Sequence, residues 1–169
     1  MELWDAYTSF GEPAGRDLVR GEPIPGGLFH LVCDIVVRHA DGSVLLMQRD
    51  YRKDILPGAF EVSAGGSVIK GETAEQAAMR ELAEETGIHA KTLVPLYRTI
   101  SERSQAIHHG YLCVTDCEKD AIVLQPGETI GWKWLDKDAF LDFIESDAYT
   151  PAQRQRLVPC LETIFSSQA

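Results

Sequence analysis

The chain is short of positive charge and of long apolar stretches. Its 169 residues include 16 Lys and Arg against 26 Asp and Glu, for a formal net charge of −10. Nucleic-acid binding needs a basic footprint, so this balance argues against a generic nucleic-acid partner. No run approaches the roughly eighteen apolar residues of a membrane span. The N-terminal MELWDAYTSF lacks a basic-then-apolar signal pattern, so we expect neither a membrane segment nor export.

Paired cysteines are also lacking. The four cysteines follow neither a CxxC nor a zinc-ligand spacing. Cys33 and Cys113 lie in apolar runs and are predicted to belong to the core. Together these features favour a reducing, cytoplasmic setting. A chain of 169 residues with 44% hydrophobic content predicts one domain, large enough to bury about two-thirds of its unfolded surface.

The most informative stretch runs from Gly65 to Ile88 and reads GGSVIKGETAEQAAMRELAEETGI. Its centre predicts a helix. Thr73 is a good N-cap, Gln76 three residues on completes a capping box, and Gly87 supplies the C-terminal stop. The alanines between these residues are strong helix formers.

The alanine stripe of this helix runs into three glutamates, Glu81, Glu84 and Glu85. Glu81 and Glu85 repel at i,i+4 spacing, and the C-terminal end of a helix disfavours anions. Small alanines let a helix approach a sheet closely, which draws these acids toward a partly buried site. A buried carboxylate needs a partner, and a hard divalent cation is a suitable one. On composition alone, a solvated acidic face is the alternative.

The spacing of the fixed residues favours the metal interpretation. Gly66, Glu72 and the run Arg80-Glu81-Leu82-x-Glu84-Glu85-x-Gly87-Ile88 reproduce every fixed position of the Nudix box. The chain therefore resembles the Nudix superfamily. That resemblance implies an α+β fold, an αβα sandwich around a mixed β-sheet, with residues 65–88 as the catalytic loop-helix-loop.

Local patterns along the chain fit this expectation. Residues 1–27 predict a β-hairpin extension of one domain that spans 1–169, with strands at 3–7 and 16–20. The 28–38 strand is nearly continuously apolar and is predicted to be central. The other predicted strands are 43–49, 60–64, 92–100, 106–115, 122–124 and 129–135. Helices are predicted at 137–145 and 151–166, the latter bent or broken at Pro159.

Nudix enzymes cleave a diphosphate linked to another group with the help of Mg²⁺ or Mn²⁺. The resemblance therefore implies a small-molecule diphosphate substrate. It assigns the metal ligands to Glu81, Glu84, Glu85 and the Gly65 carbonyl. The general base stays open between Glu81 and an acid from a loop.

Residues outside this ligand set have supporting roles in the same interpretation. Glu72 and Arg80 are predicted to form an ion pair that orients the loop and the helix. Glu128, in a loop after a Pro-Gly pair, is predicted to assist metal binding or water activation. A solvated loop acid is the alternative for Glu128. Weaker candidates for its role are Glu102 and Glu118.

Cations near the end of a predicted strand are candidates for substrate binding. Arg49 ends the strand, and Arg52 and Lys53 follow in a polar loop. Each could hold a distal phosphate, and a solvated loop is the alternative. His108 and His109 lie on opposite faces of one strand, so at most one of them can line a pocket.

Two other functions compete with hydrolysis. The N-terminal pattern Leu3-Trp4-Asp5-x-Tyr7 is similar to isopentenyl diphosphate isomerases, which share the fold but use a cysteine before the box and histidine ligands. Here Gly65 stands at the cysteine position and Ser67 at a histidine position, which disfavours an isomerase. A non-catalytic Nudix-fold binding module usually loses box acids, and this chain has lost none. The sequence decides neither the substrate nor the oligomeric state, and a homodimer stays open.

Overall fold

The computed structural model describes residues 1–166, which form two β-sheets and four α-helices. The strands are β1 (Leu3–Tyr7), β2 (Pro13–Val19), β3 (His30–His39), β4 (Val44–Arg49), β5 (Phe60–Val62), β6 (Ala64–Ser67), β7 (Val94–Ser101), β8 (Ala106–Thr115) and β9 (Thr129–Leu135). The helices are α1 (Ala74–Thr86), α2 (Lys137–Glu145), α3 (Pro151–Leu157) and α4 (Leu161–Ile164).

The predicted N-terminal hairpin is present as a separate two-stranded antiparallel sheet of β1 and β2. It has its own small core of Trp4, Ala6 and Leu18. The Trp4 ring stacks on His30 at the start of β3, with 4.1 Å between ring centroids. A β-bridge between Tyr7 and Phe29 also joins the hairpin to the main sheet. The hairpin is therefore packed against the larger sheet.

The main sheet has seven strands, with β3 at its centre. The strand order is β5-β4-β3-β8-β7, and β6 also pairs with β3 while β9 pairs with β4. The β3–β8 pair is parallel and the β3–β4 pair is antiparallel, so the sheet is mixed. Cys33 and Ile35 of β3 have no exposed surface. This confirms the prediction of a central strand from the apolar run.

Helices cover both faces of this sheet. On one face, Cys33, Ile35 and Val37 share a core with the alanines of α1. On the other face, Val36 packs in a second core with Phe140 of α2 and with residues of α3 and α4. Alternate residues of β3 thus point to different helical layers. This is the αβα sandwich that the resemblance implied, with the hairpin added to it.

The predicted strand 60–64 is two strands. Ser63 interrupts it, because its hydroxyl donates to the Leu45 carbonyl at 2.6 Å and accepts from the Val37 amide at 2.9 Å. The side chain thus takes part in the hydrogen bonding between backbones. Beyond Ser63 the chain continues as β6, in which Gly65 lies opposite Asp34 of β3. The start of the box is therefore a strand next to the centre of the sheet.

The predicted strand 122–124 is wrong. Ile122 is buried and the Val123 amide donates to the Thr86 carbonyl at the end of α1, but the segment joins no sheet. The predicted break near Pro159 is confirmed by the 3-10 turn Val158–Cys160 between α3 and α4.

The predicted core positions of Cys33 and Cys113 are confirmed, since both side chains are fully buried. All four cysteines are free thiols. Within residues 1–166, no helix is both long enough and apolar enough to cross a membrane.

Candidate active site

A cavity of about 590 Å³ lies where α1, β6 and the centre of the main sheet meet. Its walls come from the box, the sheet, the loops after β4 and before β9, the N-terminal hairpin and α3. Charged side chains dominate them. The acids that line the cavity are Glu2, Asp34, Glu61, Glu81, Glu84, Glu85 and Glu128. The basic residues that line it are Arg20, Arg49, Lys53, Arg80 and His108.

Helix α1 forms where the sequence predicted it, and local signals fix its ends. The Thr73 hydroxyl accepts a hydrogen bond from the backbone amide of Gln76. The side-chain oxygen of Gln76 accepts one from the backbone amide of Thr73, which completes the capping box. Gly87 ends the helix in the left-handed conformation with φ of 75°. Ala77 and Ala78 are fully buried, so the helix lies close to the sheet and its glutamates reach the cavity.

The two glycines at the start of the box allow that close approach. A Cβ on Gly66 would lie 2.3 Å from the Glu81 Oε1 atom, so a side chain there would displace the Glu81 carboxylate. The Glu81 carboxylate therefore lies directly against the backbone of β6. The Gly65 amide donates to Glu85 Oε2 at 3.2 Å. Each of the two glycines therefore contacts one acid of the helix.

Glu85 is a carboxylate without a cationic partner. Among residues 1–166, its carboxylate receives one hydrogen bond, from Gly65, and joins no ion pair. Burial raises the pKa of Glu85 to about 8, and the negative charge of Glu81 adds to the effect while the Gly65 amide opposes it. Glu61 and Glu128 also contribute to the increase. The site thus concentrates negative charge that this part of the chain does not neutralise.

Arg80 binds the other acids of the box. Its guanidinium donates to both oxygens of Glu72, at 2.9 and 3.0 Å, and to Glu81 at 2.7 Å. Glu84 lies farther away, at 3.4 Å, and is largely exposed. The predicted Glu72–Arg80 ion pair is confirmed as a contact, and it links the loop before α1 to the helix. Burial raises the pKa of Glu81, while its bond to Arg80 opposes that shift.

The three box acids line one cavity, but they do not form a preassembled metal cage. In the described part of the chain, no group of three or more His, Cys, Asp or Glu side chains is arranged to hold a metal ion. Arg80 holds Glu81, and Gly65 holds Glu85. A cation bound here would compete with these contacts or use the other oxygen of each carboxylate, Glu81 Oε2 and Glu85 Oε1.

Glu128 lines the cavity and forms an ion pair with Lys53. Its charge contributes to the raised pKa values of Glu81 and Glu85. Glu128 and the box acids thus line one cavity, and the assisting role of Glu128 stays a prediction. The two weaker candidates, Glu102 and Glu118, do not line the cavity.

The three predicted substrate-binding cations differ in position. Arg49 lines the cavity and binds Glu61 at 2.7 Å, and Lys53 lines it beside Glu128. Arg52 does not line the cavity. Its side chain is 75% exposed and binds Asp50. The end of β4 and the loop after it thus place Arg49 and Lys53 at the cavity and leave Arg52 on the surface.

A second polar group in the cavity was not anticipated from the sequence. Asp34 Oδ2 accepts from the Tyr97 hydroxyl at 2.8 Å and lies 3.0 Å from His108 Nδ1 and 3.5 Å from Arg156 Nε. Burial alone would raise the pKa of Asp34, but these partners hold it below its ordinary value, His108 foremost. The sequence feature that could have indicated this group is Asp34 itself, a single acid within the almost wholly apolar strand β3. His108 lines the cavity and His109 does not, as alternation required.

Comparisons with known proteins agree with this architecture. The family model described as NUDIX domain matches residues 28–155. An uncharacterized Nudix hydrolase of Listeria monocytogenes is 30% identical over 155 residues, which cover 89% of each protein. An isopentenyl-diphosphate Delta-isomerase of Corynebacterium diphtheriae is 27% identical over 173 residues, which cover 93% of this chain and 92% of the isomerase.

The crystal structure of DR0079 from Deinococcus radiodurans has the same fold, with a TM-score of 0.77 and 24% identity. The match covers 94% of this chain and 99% of that one. The family model spans most of the sequence, including the whole loop-helix-loop that carries the three glutamates. The chain belongs to the Nudix family.

Proposed function

We propose that the protein is a divalent-cation-dependent pyrophosphohydrolase that cleaves the diphosphate linkage of a small metabolite. The observation that carries this proposal is Glu85. Its carboxylate lies in the cavity wall with one backbone hydrogen bond and no cation from the described chain. A carboxylate in such a place needs a positive partner, and the family provides the chemical context for one.

The donor set suits a hard cation such as Mg²⁺ or Mn²⁺. Carboxylate and carbonyl oxygens are the ligands these ions prefer. We assign the ligands to Glu81, Glu84, Glu85 and the Gly65 carbonyl. When bound, the cation would neutralise charge on the phosphate oxygens and lower the pKa of an attacking water. Gly66 leaves room for the Glu81 carboxylate in this position, because a side chain there would displace it.

The chain's own residues have separate tasks in this proposal. Arg80, bonded to both oxygens of Glu72, fixes the helix against the loop. Arg49 and Lys53 give the cavity positive charge that suits the terminal phosphate of the substrate. Glu128 would be released when a phosphate takes its place on Lys53, and could then accept a proton from water. The general base is thus either Glu128 or Glu81.

The test is a panel of nucleoside and non-nucleoside diphosphate esters, assayed with Mg²⁺, with Mn²⁺ and with a chelator. We expect hydrolysis of at least one ester with either metal and none with the chelator. If a protein that melts cooperatively hydrolysed none of the esters, the result would favour a non-catalytic binding module. The Glu85→Gln variant is the control for contaminating hydrolases.

An isomerase is the second candidate, since an isopentenyl-diphosphate isomerase matches nearly the whole chain. Gly65 cannot act as an acid or base at the position where the isomerases carry a cysteine. The thiol closest to the box backbone is Cys33, 3.4 Å from the Gly66 carbonyl. Its side chain is fully buried, and burial raises its pKa to about 12. Conversion of isopentenyl diphosphate to its isomer would overturn the hydrolase proposal.

A further inference from the structure

The cavity has a second polar region, built from Asp34 and His108, that the proposed hydrolysis does not use. Asp34 Oδ2 lies among Tyr97, His108 and Arg156. Its other oxygen, Oδ1, takes no hydrogen bond from residues 1–166 and is not among the buried polar atoms without a partner. Because Asp34 lines the cavity, Oδ1 is left accessible to a ligand.

His108 presents a second hydrogen-bonding atom beside it. Its Nδ1 is 3.0 Å from Asp34 Oδ2, which fixes the ring against the carboxylate. Nε2 has no partner among the described residues and is not among the buried unsatisfied atoms. The carboxylate oxygen and the imidazole nitrogen thus offer two hydrogen-bonding atoms to the cavity.

These two atoms select a ligand group that can both donate and accept a hydrogen bond. A further phosphate would meet the Asp34 charge, so the diphosphate belongs beside Arg49 and Lys53. An ammonium group has less reason to bind, because Arg156 already balances the charge of Asp34. A neutral hydroxyl group satisfies both atoms and can also bind the side-chain amide of Gln153, which lines the same cavity.

Aromatic side chains are missing from the cavity walls. In the described chain, the lining residues include no Phe, Tyr or Trp. A nucleobase gains much of its binding energy from aromatic stacking, which the lining residues of the described chain do not offer. An isoprenoid chain would find the aliphatic side chains Val32, Ile55, Val62 and Ile69 set among mostly charged residues. A hydroxylated ring of sugar size suits these walls better.

We propose that Asp34 and His108 form the subsite for the non-phosphate half of the substrate and select a hydroxyl-bearing, sugar-like group. This inference rests on the proposed function, since it assumes that a diphosphate occupies the cation-binding half of the cavity. Asp34 and His108 then act by contact with the substrate, and Tyr97 and Arg156 position Asp34.

The test compares glucosyl diphosphate with cyclohexyl diphosphate, which also has a six-membered ring but lacks the hydroxyl groups. We expect the wild-type protein to cleave the glucosyl ester with a kcat/KM about tenfold higher, the size of one or two net hydrogen bonds. His108→Gln and Asp34→Asn should each reduce that ratio toward one, mainly through KM for the glucosyl ester. His109→Gln, on the same strand but outside the cavity, is the matched control.

Binding of methylene-bridged analogues of the two esters, measured by calorimetry with Mg²⁺, separates the two proposals. If the glucosyl analogue binds more tightly than the cyclohexyl analogue but neither ester is hydrolysed, the result would contradict the proposed function and support the subsite. Hydrolysis of both esters with equal kcat/KM would overturn the subsite. So would variants, shown to be folded by their melting curves, that lose activity on both esters equally.

Discussion

Glu85 and Asp34 are two carboxylates in the same cavity with opposite surroundings. Asp34 has a tyrosine hydroxyl, an imidazole and a guanidinium within 3.5 Å, and its pKa is held below its ordinary value. Glu85 has one backbone amide and neighbouring acids, and burial with the charge of Glu81 raises its pKa to about 8. Gly65 carries that amide and lies opposite Asp34 in the sheet, so the two environments are adjacent.

The contrast separates a carboxylate that the fold neutralises from one that it does not. Arg156 reaches Asp34 from α3, across the sheet from α1. Arg80, the guanidinium nearest the box acids, binds Glu72 and Glu81 and leaves Glu85 without a cation among residues 1–166. A carboxylate with internal partners contributes to stability, whereas one without them becomes favourable only when a ligand supplies the charge. The same substitution, acid to amide, should therefore have opposite effects at the two positions.

The largest effect should come from Glu85→Gln. We expect kcat to fall about 100-fold or more, as for loss of a principal electrostatic group, because the amide binds a divalent cation poorly. Above about pH 8, where Glu85 is ionised without metal, the melting temperature in chelator should equal or exceed that of wild type, since an unpaired charge is removed. Added Mg²⁺ should then raise it far less than in wild type. Equal stabilisation by Mg²⁺ would show that Glu85 is not a principal ligand.

The pH dependence gives a second readout for Glu85. Its folded-state pKa lies above the ordinary 4.5, so the folded protein binds more protons than the unfolded chain between pH 4.5 and about 8. The metal-free wild type should therefore lose stability as the pH rises through this window. The variant should lack that part of the slope. Melting curves in chelator from pH 5 to 9 measure the difference, and parallel curves would contradict it.

The next effect should come from Asp34→Asn, with the opposite sign. The amide leaves the Arg156 guanidinium, which is 16% exposed, without its counter-charge. We expect a loss of about 2 kcal/mol of unfolding free energy at neutral pH. Because the pKa of Asp34 is lowered in the fold, wild type should approach the variant as the pH falls below about 4. Chemical denaturation at pH 7 and pH 3 checks this, and an unchanged stability at pH 7 would remove the contrast with Glu85.

The sequence predicted the helix and its acids because their signals are local. The cap of Thr73 and Gln76, the alanine stripe and the stop at Gly87 all act within one stretch, and each is present in the structure. The resemblance then supplied the sandwich architecture. Periodicity alone gave only an α+β domain, since it does not say which strands pair.

Features that depend on distant partners were missed or misassigned. Ser63 splits a strand by bonding to β3 and β4, which no local pattern reveals. Asp34 acquires its role from Tyr97, His108 and Arg156, which lie 63 or more residues away in sequence. Arg52 and Lys53 are neighbours of equal charge, and only the folded loop distinguishes them.

The smallest effect is expected at Arg52 and Lys53. Variants of these two residues test whether a cation must line the cavity to affect KM. Lys53 lines it beside Glu128, while Arg52 lies on the surface with Asp50. We expect Lys53→Met to raise KM about fivefold, the size of one charge-assisted hydrogen bond to a phosphate in a partly exposed site. Arg52→Met should leave KM within about twofold of wild type, because exposed ion pairs contribute little.

Steady-state kinetics on the best substrate of the diphosphate panel would measure both variants. Removal of Lys53 also frees Glu128 from its ion pair, so kcat should hold steady or rise if Glu128 takes the proton from water. A fall in kcat with unchanged KM would instead assign Lys53 to the reaction and not to phosphate binding. An equal rise in KM for both variants would mean that the loop delivers Arg52 to the substrate as well. The different positions of Arg52 and Lys53 in the fold would then not lead to different contributions to substrate binding.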